Sequence, residues 1–477
     1  MRKRAASKQK RGSAAVAAAL LLCLSAGVPA CASVTKGTAG ENVKEMQSAA
    51  IASLAPASGD SSVEQRYTGA PLGIDEAVKI TLRDNTTLRS LRQELTKAQA
   101  FKLKADGTIL PAVSVNGVLD TQREPQTTDG SDRSGGRSAT ASIEETIYSG
   151  GRNSALRAQS PQVRTIAESA VAAGENRAVG ELYIRFYLVL LKRKQVETEL
   201  AAVETSKMHL KQVEQMAKLG LSNRLEVIRA GQQVAAKQAS LEAARGAYDV
   251  SVTSLMNYMA IEPQNSREVV GELYEPAANG DREHSLALAM QHRADLMQSA
   301  EQVKFRENQI RIERSGMLPK LTAGATTGWS DPYRQRDESG DTWRAELRLA
   351  VPVFDRWITR SSVMTVQAER EQDKIALEQK ELDIKSEVEA SWSEIESSHR
   401  ALRSSEKSLE LAEETLRLAE IGFTEGVTPQ LDLLDAQNSL TLAQLEFIGA
   451  QYNYLIAVTA LKVTEGMIIE WNGDKTK

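Results

Sequence analysis

The residues best suited to catalysis or metal binding are few in this chain, and their spacing favours neither role. Four histidines occur among the 477 residues, and they are scattered without the spacing typical of a metal site. They are His209, His284, His292 and His399. The run His292-Arg293-Ala294-Asp295 is superficially like a kinase catalytic loop, but the sequence has no glycine-rich phosphate loop to accompany it. The sequence therefore predicts a protein that is not an enzyme, with no cofactor and no metal site.

Cysteine usage, charge and composition exclude further classes. Both cysteines, Cys23 and Cys31, lie within the first 31 residues, so the rest of the chain has neither a disulfide framework nor a thiolate metal site. The formal net charge is −4, so no strong basic field attracts nucleic acid. A content of 26% charged and 4% aromatic residues is typical of long helices. We therefore expect a mainly helical protein with no nucleic-acid partner.

The N-terminus has the pattern of a secretory signal. Six Lys and Arg residues lie within 1–11, and they are followed by the apolar stretch 14–24 and by Ala30-Cys31-Ala32, which fits a signal-peptidase site. We predict a signal peptide over 1–32 and an extended linker over 33–71. Alternatively, Cys31 is the lipid-bearing first residue of a lipoprotein, although Pro29 stands where such sites prefer a small residue.

The second half of the chain repeats the first at a shift of about 206 residues. Gly220 returns as Gly426, and Tyr248 returns as Tyr454. An apolar ladder with a period of seven residues also recurs, at Leu182, Val189, Val196, Val203, Leu210 and Ala217, and again at Val388, Ile395, Leu402, Leu409, Leu416 and Phe423. That period marks helices that pack side by side along their length. We predict a first repeat over 72–270, a second repeat over 271–466 and a C-terminal tail over 467–477.

Each repeat also contains two segments with the alternation of a β-strand. The predicted strands cover about 111–120 and 139–148 in the first repeat, and about 319–329 and 342–354 in the second. In the last of these, Trp343, Ala345 and Leu347 alternate with charged residues. The strands are either soluble hairpins with one face on a core or transmembrane strands with the apolar face to lipid. Runs of roughly ten residues with charges on one face, behind a signal peptide, favour the second interpretation.

Four strands cannot close a barrel, because the smallest spanning barrels use about eight. An open edge in lipid would leave backbone donors and acceptors unpaired at a cost of several kcal/mol each. Several chains must therefore share one barrel, and three chains supply twelve strands. The long helices then continue as a hollow bundle of about 100 Å. The expected assembly is a homotrimer that shares one barrel across a membrane.

The order of elements and one motif carry a resemblance to a known family. Helix, strand, loop, strand, long helix, glycine turn and helix follow one another twice over about 72–466, and the second glycine turn opens the run Gly426–Gln437, GVTPQLDLLDAQ. This arrangement resembles the TolC-like outer membrane efflux proteins. The resemblance implies a trimeric 12-stranded transmembrane β-barrel embedded in outer membrane lipid and continued by an α-helical coiled-coil tunnel in the periplasm. It also implies an exit duct that passively conducts substrate, with a periplasmic adaptor (membrane fusion protein) and an inner-membrane transporter as partners.

The resemblance further implies which residues line the entrance. Two acids in the family motif correspond to Asp432 and Asp435, which in a trimer would form two stacked rings that attract cations. Alternatively, Asp432 only favours the dipole of its helix N-terminus. In the best-studied member of the family, a Tyr and an Arg pair with an acid to hold the gate closed. Here Phe423 and Thr428 replace the first two, while Glu226 retains the acid. This sequence therefore departs from that closure, and Arg224 or Gln430 could substitute.

The two helix turns are where this family meets its adaptor. The resemblance places that contact at Gly220, Leu221 and Ser222 and at Gly426, Val427 and Pro429. The competing interpretation is a periplasmic coiled-coil adaptor or structural protein without a membrane barrel. Such an adaptor needs only one hairpin-sized β region near its ends, whereas here the strands lie mid-chain in both repeats. The sequence does not identify the exported substrate, which could be a drug, a metal or a protein.

Overall fold

The structure is a computed structural model that describes residues 71–123, 133–262, 267–276, 280–332 and 340–471. The predicted signal peptide, Cys31 and nearly all of the predicted linker lie outside these residues. The helices are α1 (Ile74–Asp84), α2 (Thr86–Gly107), α3 (Arg152–Lys218), α4 (Arg224–Tyr258), α5 (Arg282–His292), α6 (Ala294–Arg314), α7 (Ile358–Thr424) and α8 (Gln430–Thr464). The strands are β1 (Ala112–Arg123), β2 (Arg133–Ser149), β3 (Lys320–Pro332) and β4 (Gly340–Ala350).

The elements repeat with a nearly constant offset. Helices α1 and α2 and strand β1 recur 208 residues later (74 to 282, 86 to 294, 112 to 320), strand β2 recurs 207 residues later (133 to 340), and helices α3 and α4 recur 206 residues later (152 to 358, 224 to 430). Both long helices have 67 residues, which corresponds to about 100 Å. The predicted fold class, mainly helical with a small β portion and internally duplicated, is confirmed.

Two matched apolar clusters hold the long helices to their neighbours. In the first, Leu182 and Phe186 of α3 are buried with Leu255 of α4. In the second, Val388 and Trp392 of α7 are buried with Leu461 of α8. All three pairs are separated by the same shift of 206 residues, so the duplication extends to the packing. Toward the ends of α3 and α7 the ladder positions, such as Leu210 and Leu416, become half-buried.

Side-chain caps divide the shorter helices. Asn85 lies between α1 and α2, and its side chain accepts hydrogen bonds from the backbone N–H groups of Thr87 (3.0 Å) and Leu88 (3.2 Å). This is the preferred use of asparagine at a helix N-cap.

After α8 the chain returns to α3, where Ile468 is buried and the hydroxyl of Tyr183 donates to the carbonyl of Trp471 at 3.2 Å. The first residues of the predicted tail therefore contribute to the core.

The four strands form one antiparallel sheet in the order β1-β2-β3-β4, so the two hairpins of the two repeats lie side by side. One face is apolar: Val113 pairs with Ile143, Ala325 with Ala345, and Leu321 with Leu349. The other face is polar, with Ser114 hydrogen-bonded to Ser142 (2.8 Å) and Arg348 paired with Glu346 (3.2 Å). Among the strands that the structure describes, β1 and β4 each have one edge without a strand partner.

The apolar face of the sheet is exposed in the single chain. Val115 is 78% exposed, Leu347 is 67% exposed and Trp343 is 82% exposed. None of the helices that the structure describes has a stretch apolar and long enough to cross a bilayer.

Candidate functional site

The turn between α3 and α4 and the turn between α7 and α8, here called the first and second tips, have the same backbone geometry. Each contains a glycine with positive φ, Gly220 at 75° and Gly426 at 77°. In the first tip, Leu221 N–H donates to the carbonyl of Met216 (2.9 Å), and in the second, Val427 N–H donates to that of Gly422 (2.8 Å). These are Schellman caps, which satisfy the last carbonyls of a helix and require a left-handed residue that glycine adopts freely. Two matched glycine turns are therefore built into the repeat.

The two tips begin their second helix differently. In the first tip, Asn223 is the N-cap, and its side chain accepts from the N–H of Glu226 (3.0 Å) while the Glu226 carboxylate accepts from Asn223 N–H (3.4 Å). The Ser222 hydroxyl donates to the same carboxylate. In the second tip, Pro429 is the N-cap and no side chain caps the helix. The second helix of each tip therefore begins directly after Asn223 or Pro429.

Glu226 is consequently engaged within its own turn. Three groups of the first tip surround its carboxylate: the Ser222 hydroxyl, the Asn223 backbone N–H and, at 3.1 Å, the Asn223 amide. Arg224, one of the two candidates for a substitute gate contact, is exposed on the first turn of α4. The other candidate, Gln430, makes a contact that joins the two tips.

Gln430 is buried, and its amide Nε2 donates to the backbone carbonyl of Glu226 at 3.1 Å. The same Nε2 lies 3.3 Å from Nε2 of His209 on α3. Phe423 packs edge-on to the His209 ring with centroids 5.5 Å apart. We call Glu226, His209, Phe423 and Gln430 the seam cluster, because it holds the second hairpin of helices against the first. Sequence reasoning missed His209, which was only one of four unremarkable histidines.

Two members of the seam cluster, His209 and Gln430, are buried. Burial lowers the pKa of His209, so the ring is held neutral. The Gln430 Oε1 atom is buried without a hydrogen-bond partner among the described residues. The same holds for Oε1 of Gln437, which lies further along α8. A second polar link between α4 and α8 follows, in which Gln233 Nε2 donates to Asn438 Oδ1 at 2.6 Å. The two hairpins are thus joined near the tips by few and incompletely satisfied polar contacts.

The register of α3 against α8 shows how far this seam extends. Asn176 donates to the carbonyl of Val463 at 2.8 Å, and His209 contacts Gln430. Residue numbers therefore fall by 33 along α3 (209 to 176) while they rise by 33 along α8 (430 to 463). The two helices run antiparallel without a slip between the tips and the apolar clusters.

Asp432 and Asp435 lie on the first two turns of α8, and both are exposed. Their neighbours Leu433 and Leu434 are buried on the opposite side of the helix. Neither carboxylate forms an ion pair within the described part of the chain. The structure therefore leaves both charges free to face solvent or a neighbouring copy.

The sequence matches the model of the outer membrane efflux protein family over residues 77–260 and 286–466. These two segments include both helical repeats and all four strands. The chain belongs to the outer membrane efflux protein family. This is a transport family rather than an enzyme family, and membership implies an oligomeric channel that works with pump components. A search of curated proteins found no significant match.

Solved structures of outer membrane channels share the fold of this outer membrane efflux protein. CmeC of Campylobacter jejuni superposes with a TM-score of 0.72 at 12% identity, covering 87% of this chain and 93% of that one. VceC of Vibrio cholerae gives 0.69 at 16% identity, with 82% and 96% covered. The open state of MtrE of Neisseria gonorrhoeae gives 0.67 at 16% identity, with 87% and 98% covered.

In this outer membrane efflux protein the tips present apolar side chains to solvent. Leu221 is 70% exposed and Val427 is 78% exposed, and Leu219 and Leu431 beside them are also exposed. Exposed apolar groups gathered at one end of a fold are typical of a protein-interaction surface. Thr428 is half-buried and its hydroxyl lies against Gly422, where a Cβ would come within 2.1 Å of it.

Proposed function

We propose that three copies of this protein form an exit duct across the outer membrane, and that a periplasmic adaptor and an inner-membrane transporter deliver substrate to it. Substrate then passes through the duct without further input of energy. The proposal builds on membership of the outer membrane efflux protein family and adds the stoichiometry, the partners and the passive mechanism. The alternative of a periplasmic adaptor is less well supported, because the family match spans all four strands.

The observation that carries the proposal is the sheet. It has an apolar face exposed to solvent in the single chain and a polar face that bears Arg348 and Glu346. Its outer strands β1 and β4 each have one edge that no described strand pairs with. Lipid against the apolar face, water against the polar face and a second copy at each edge would satisfy all three features. Three four-stranded sheets make twelve strands, an even number within the range of known barrels.

The helical part then provides the continuation of the pore. Helices α3 and α7, of about 100 Å each, are long enough to carry a duct well beyond a hydrocarbon core of about 30 Å. At its far end the seam cluster holds the two hairpins of one copy together. We propose that this cluster replaces the Tyr, Arg and acid contact of the family, because Gln430 connects α8 to the carbonyl of Glu226 while Phe423 packs on His209.

Asp432 and Asp435 are proposed to face the pore at this end. Both are exposed and unpaired within the described residues, and they lie on adjacent turns of α8. Three copies would bring them into two acidic rings, which concentrate cations and admit divalent ions to a blocking position. The exposed tip residues, Gly220, Leu221 and Ser222 with Gly426, Val427 and Pro429, are proposed to receive the adaptor.

Single-channel recording in planar bilayers tests the proposal. The purified protein should conduct as a trimer, and millimolar divalent cations added on the tip side should block it. In the double variant Asp432→Asn/Asp435→Asn, the blocking concentration should rise on the order of tenfold, because each lost charge interacts with a cation at 4 Å by about 1 kcal/mol even in water. Glu425→Gln, an exposed acid of the second tip outside α8, is the matched control and should leave block unchanged.

The two parts of the proposal fail separately. Absence of any conductance by a correctly inserted protein would contradict the duct. Normal conductance with unchanged divalent block in the double variant would contradict only the acidic rings.

A further inference from the structure

The connection between β4 and α7 exposes a group of aromatic and cationic side chains, here called the junction patch: Phe354, Arg356, Trp357 and Arg360. Phe354 is 66% exposed and Trp357 is 62% exposed, and their rings meet edge-on with centroids 5.9 Å apart. The guanidinium of Arg360 lies 5.4 Å from the centroid of the Trp357 ring. Trp357 and Arg360 also line a shallow open groove with Ser361, Met364 and Thr365.

The first repeat has the same backbone at this position and an exposed aromatic, Tyr148, in place of Phe354, but it lacks the two arginines and the tryptophan. Gly150 (φ 62°) and Gly151 (φ 82°) correspond, at the shift of 206 residues, to Arg356 (φ 58°) and Trp357 (φ 66°). The caps also correspond: Ser149 Oγ accepts from Asn153 N–H at 3.1 Å, and Asp355 Oδ2 accepts from Thr359 N–H at 2.7 Å. Glycine adopts positive φ freely, whereas a residue with a Cβ is disfavoured there. The second repeat thus keeps the turn and adds an arginine and a tryptophan that the turn does not need.

The described residues provide no counter-ion for the charges of the junction patch. Neither Arg356 nor Arg360 has a carboxylate partner within the part of the chain that the structure describes. The nearby Asp355 carboxylate accepts from the backbone of Thr359 instead. The patch is therefore open to an anionic group, and a guanidinium suits phosphate because its N–H groups form paired hydrogen bonds with phosphate oxygens.

The position of the junction patch indicates which anion it meets. It continues the exposed apolar residues of β4 and the segment after it: Leu347, Leu349, Val351 and Val353 are 67%, 64%, 54% and 88% exposed. If β4 spans the membrane, as proposed above, the patch lies where the apolar band ends on the helical side. Tryptophan is enriched at that level of a membrane, among the lipid headgroups.

We propose that the junction patch binds an anionic phospholipid at the periplasmic boundary of the membrane. In this arrangement Arg356 and Arg360 contact the lipid phosphate, and the rings of Trp357 and Phe354 lie against the glycerol and upper acyl region. The proposal rests on the proposed membrane-spanning role of β4.

Native mass spectrometry of the detergent-purified trimer, titrated separately with phosphatidylglycerol and phosphatidylethanolamine, tests this. The wild type should retain phosphatidylglycerol preferentially. The triple variant Arg356→Gly/Trp357→Gly/Arg360→Ser, which copies the first repeat (Gly150, Gly151 and Ser154), should lose this preference by tenfold or more, since a basic residue near an anionic lipid contributes about fivefold. The glycines fit the turn, so the variant should fold and form trimers. Arg417→Gln, an exposed arginine near the second tip, should retain the preference.

Equal retention of both lipids by the wild type, or an unchanged preference in the triple variant, would overturn the lipid proposal. Dissociation of the triple variant into single chains would also overturn it, because the patch would then be a contact between copies. Conductance in bilayers of neutral lipid, recorded on the same preparations, reports on the duct itself and so separates failure of that proposal from failure of this one.

Discussion

His209 differs from the other three histidines at the scale of the single residue. It is buried, whereas His284, His292 and His399 are exposed. Its ring contacts Phe423 and Gln430, both of which belong to the other helical hairpin. A protonated ring would need an acceptor for its added N–H group. Gln430 Oε1, which has no hydrogen-bond partner among the described residues, could accept it, or the seam would have to open and admit water. The state of one imidazole is therefore coupled to the contact between the hairpins.

This coupling predicts that the tips loosen in acid. Burial lowers the pKa of His209 below its usual value of 6.5, so the unfolded or opened form binds the proton more readily. The contribution of the neutral His209 to the stability of the seam is therefore complete above a pH of about 6.5, and it is lost as the pH falls below that value. Hydrogen-exchange protection of residues 205–230 and 420–437, corrected at each pH for the intrinsic exchange rate of the amides, should be several-fold lower at pH 5.5 than at pH 7.5.

Two variants make this measurement specific. His209→Gln keeps a polar side chain that does not titrate, so it should remove the difference between the two pH values. His284→Gln, at an exposed position, should leave the difference intact. An acid-induced loosening that persists in His209→Gln would assign the effect to another group.

Sequence reasoning reached part of this site. Glu226 was a candidate because it retains the acid of the gate contact, and Gln430 because it could substitute for the missing partners of that acid. His209 was not found, since it contacts a residue 221 positions away and helical periodicity reports only on neighbours within the same helix. A buried polar contact between distant segments leaves no local pattern.

At the scale of elements, the turn glycines are the clearest case where the sequence dictates the backbone. Alanine at Gly220 or Gly426 would keep a positive φ that costs about 1–2 kcal/mol for a residue with a Cβ. Each variant should therefore lower the stability of its hairpin by that amount, measured as the free energy of opening from hydrogen exchange. Gly231→Ala, inside α4 with no atom within 4 Å of the added methyl, is the control and should stabilise the helix.

Equal behaviour of the turn and helix variants would show that the tips adapt to a Cβ. The double variant Gly220→Ala/Gly426→Ala should show nearly additive losses, because the two turns share no cap hydrogen bond.

The run His292-Arg293-Ala294-Asp295 has a structural use that its likeness to a kinase loop hides. Arg293 separates α5 from α6 and pairs with Asp295 (2.7 Å) and with Glu387 of α7. Lys380 of α7 also pairs with Asp295, at 2.8 Å. Burial alone would raise the pKa of Asp295, but the hydrogen bonds from Arg293 and Lys380 outweigh it and hold the pKa well below its usual range.

Asp295→Ala should consequently destabilise the junction of α5, α6 and α7 by about 1–3 kcal/mol, because it leaves a largely buried guanidinium with one partner fewer. Denaturant unfolding in detergent at pH 7 measures this. The wild-type contribution is present above a pH of about 3.8 and is lost as the pH falls through the lowered pKa, so the two proteins should converge in strong acid. A matched exposed pair, removed by Glu414→Ala, should change stability little.

Element boundaries show what alternation and capping rules predict. Alternating apolar residues located β4, but β2 begins at Arg133 rather than near 139, because its first residues are polar and glycine-rich and are held by pairing with β1. Both Ser222 and Asn223 are good N-cap types, and the structure uses Asn223 because Glu226 then stands three residues later and completes a capping box. Alternation and capping rules thus limit where an element can begin, and the residues that pair with its first positions determine where it does begin.

At the scale of the whole molecule, duplication explains why the sheet requires neighbouring copies of the chain. The repeat places two hairpins side by side through β2 and β3, and this pairing consumes one edge of each hairpin. The remaining edges, on β1 and β4, are equivalent in role but lie on opposite sides of the sheet. Such head-to-tail edges close only into a ring of copies. The alternation of apolar residues in the sequence predicted the strands. The number of copies depends instead on how many sheets are needed to close a ring, in which the last sheet pairs with the free edge of the first.

This argument predicts that β1 of one copy pairs with β4 of the next, and engineered disulfides can test it. The only cysteines, Cys23 and Cys31, lie in the predicted signal peptide, so introduced pairs meet no competing thiol. Asn116→Cys on β1, combined in turn with cysteine at Thr342, Arg344, Glu346 or Arg348 on β4, should yield covalent trimers on non-reducing gels at one register. The control, Asn116→Cys with Thr140→Cys, joins partners on β1 and β2 of one chain and should leave the chain monomeric on the gel. If every β1–β4 combination ran as a single chain while the control formed its internal disulfide, the shared barrel would have to be abandoned.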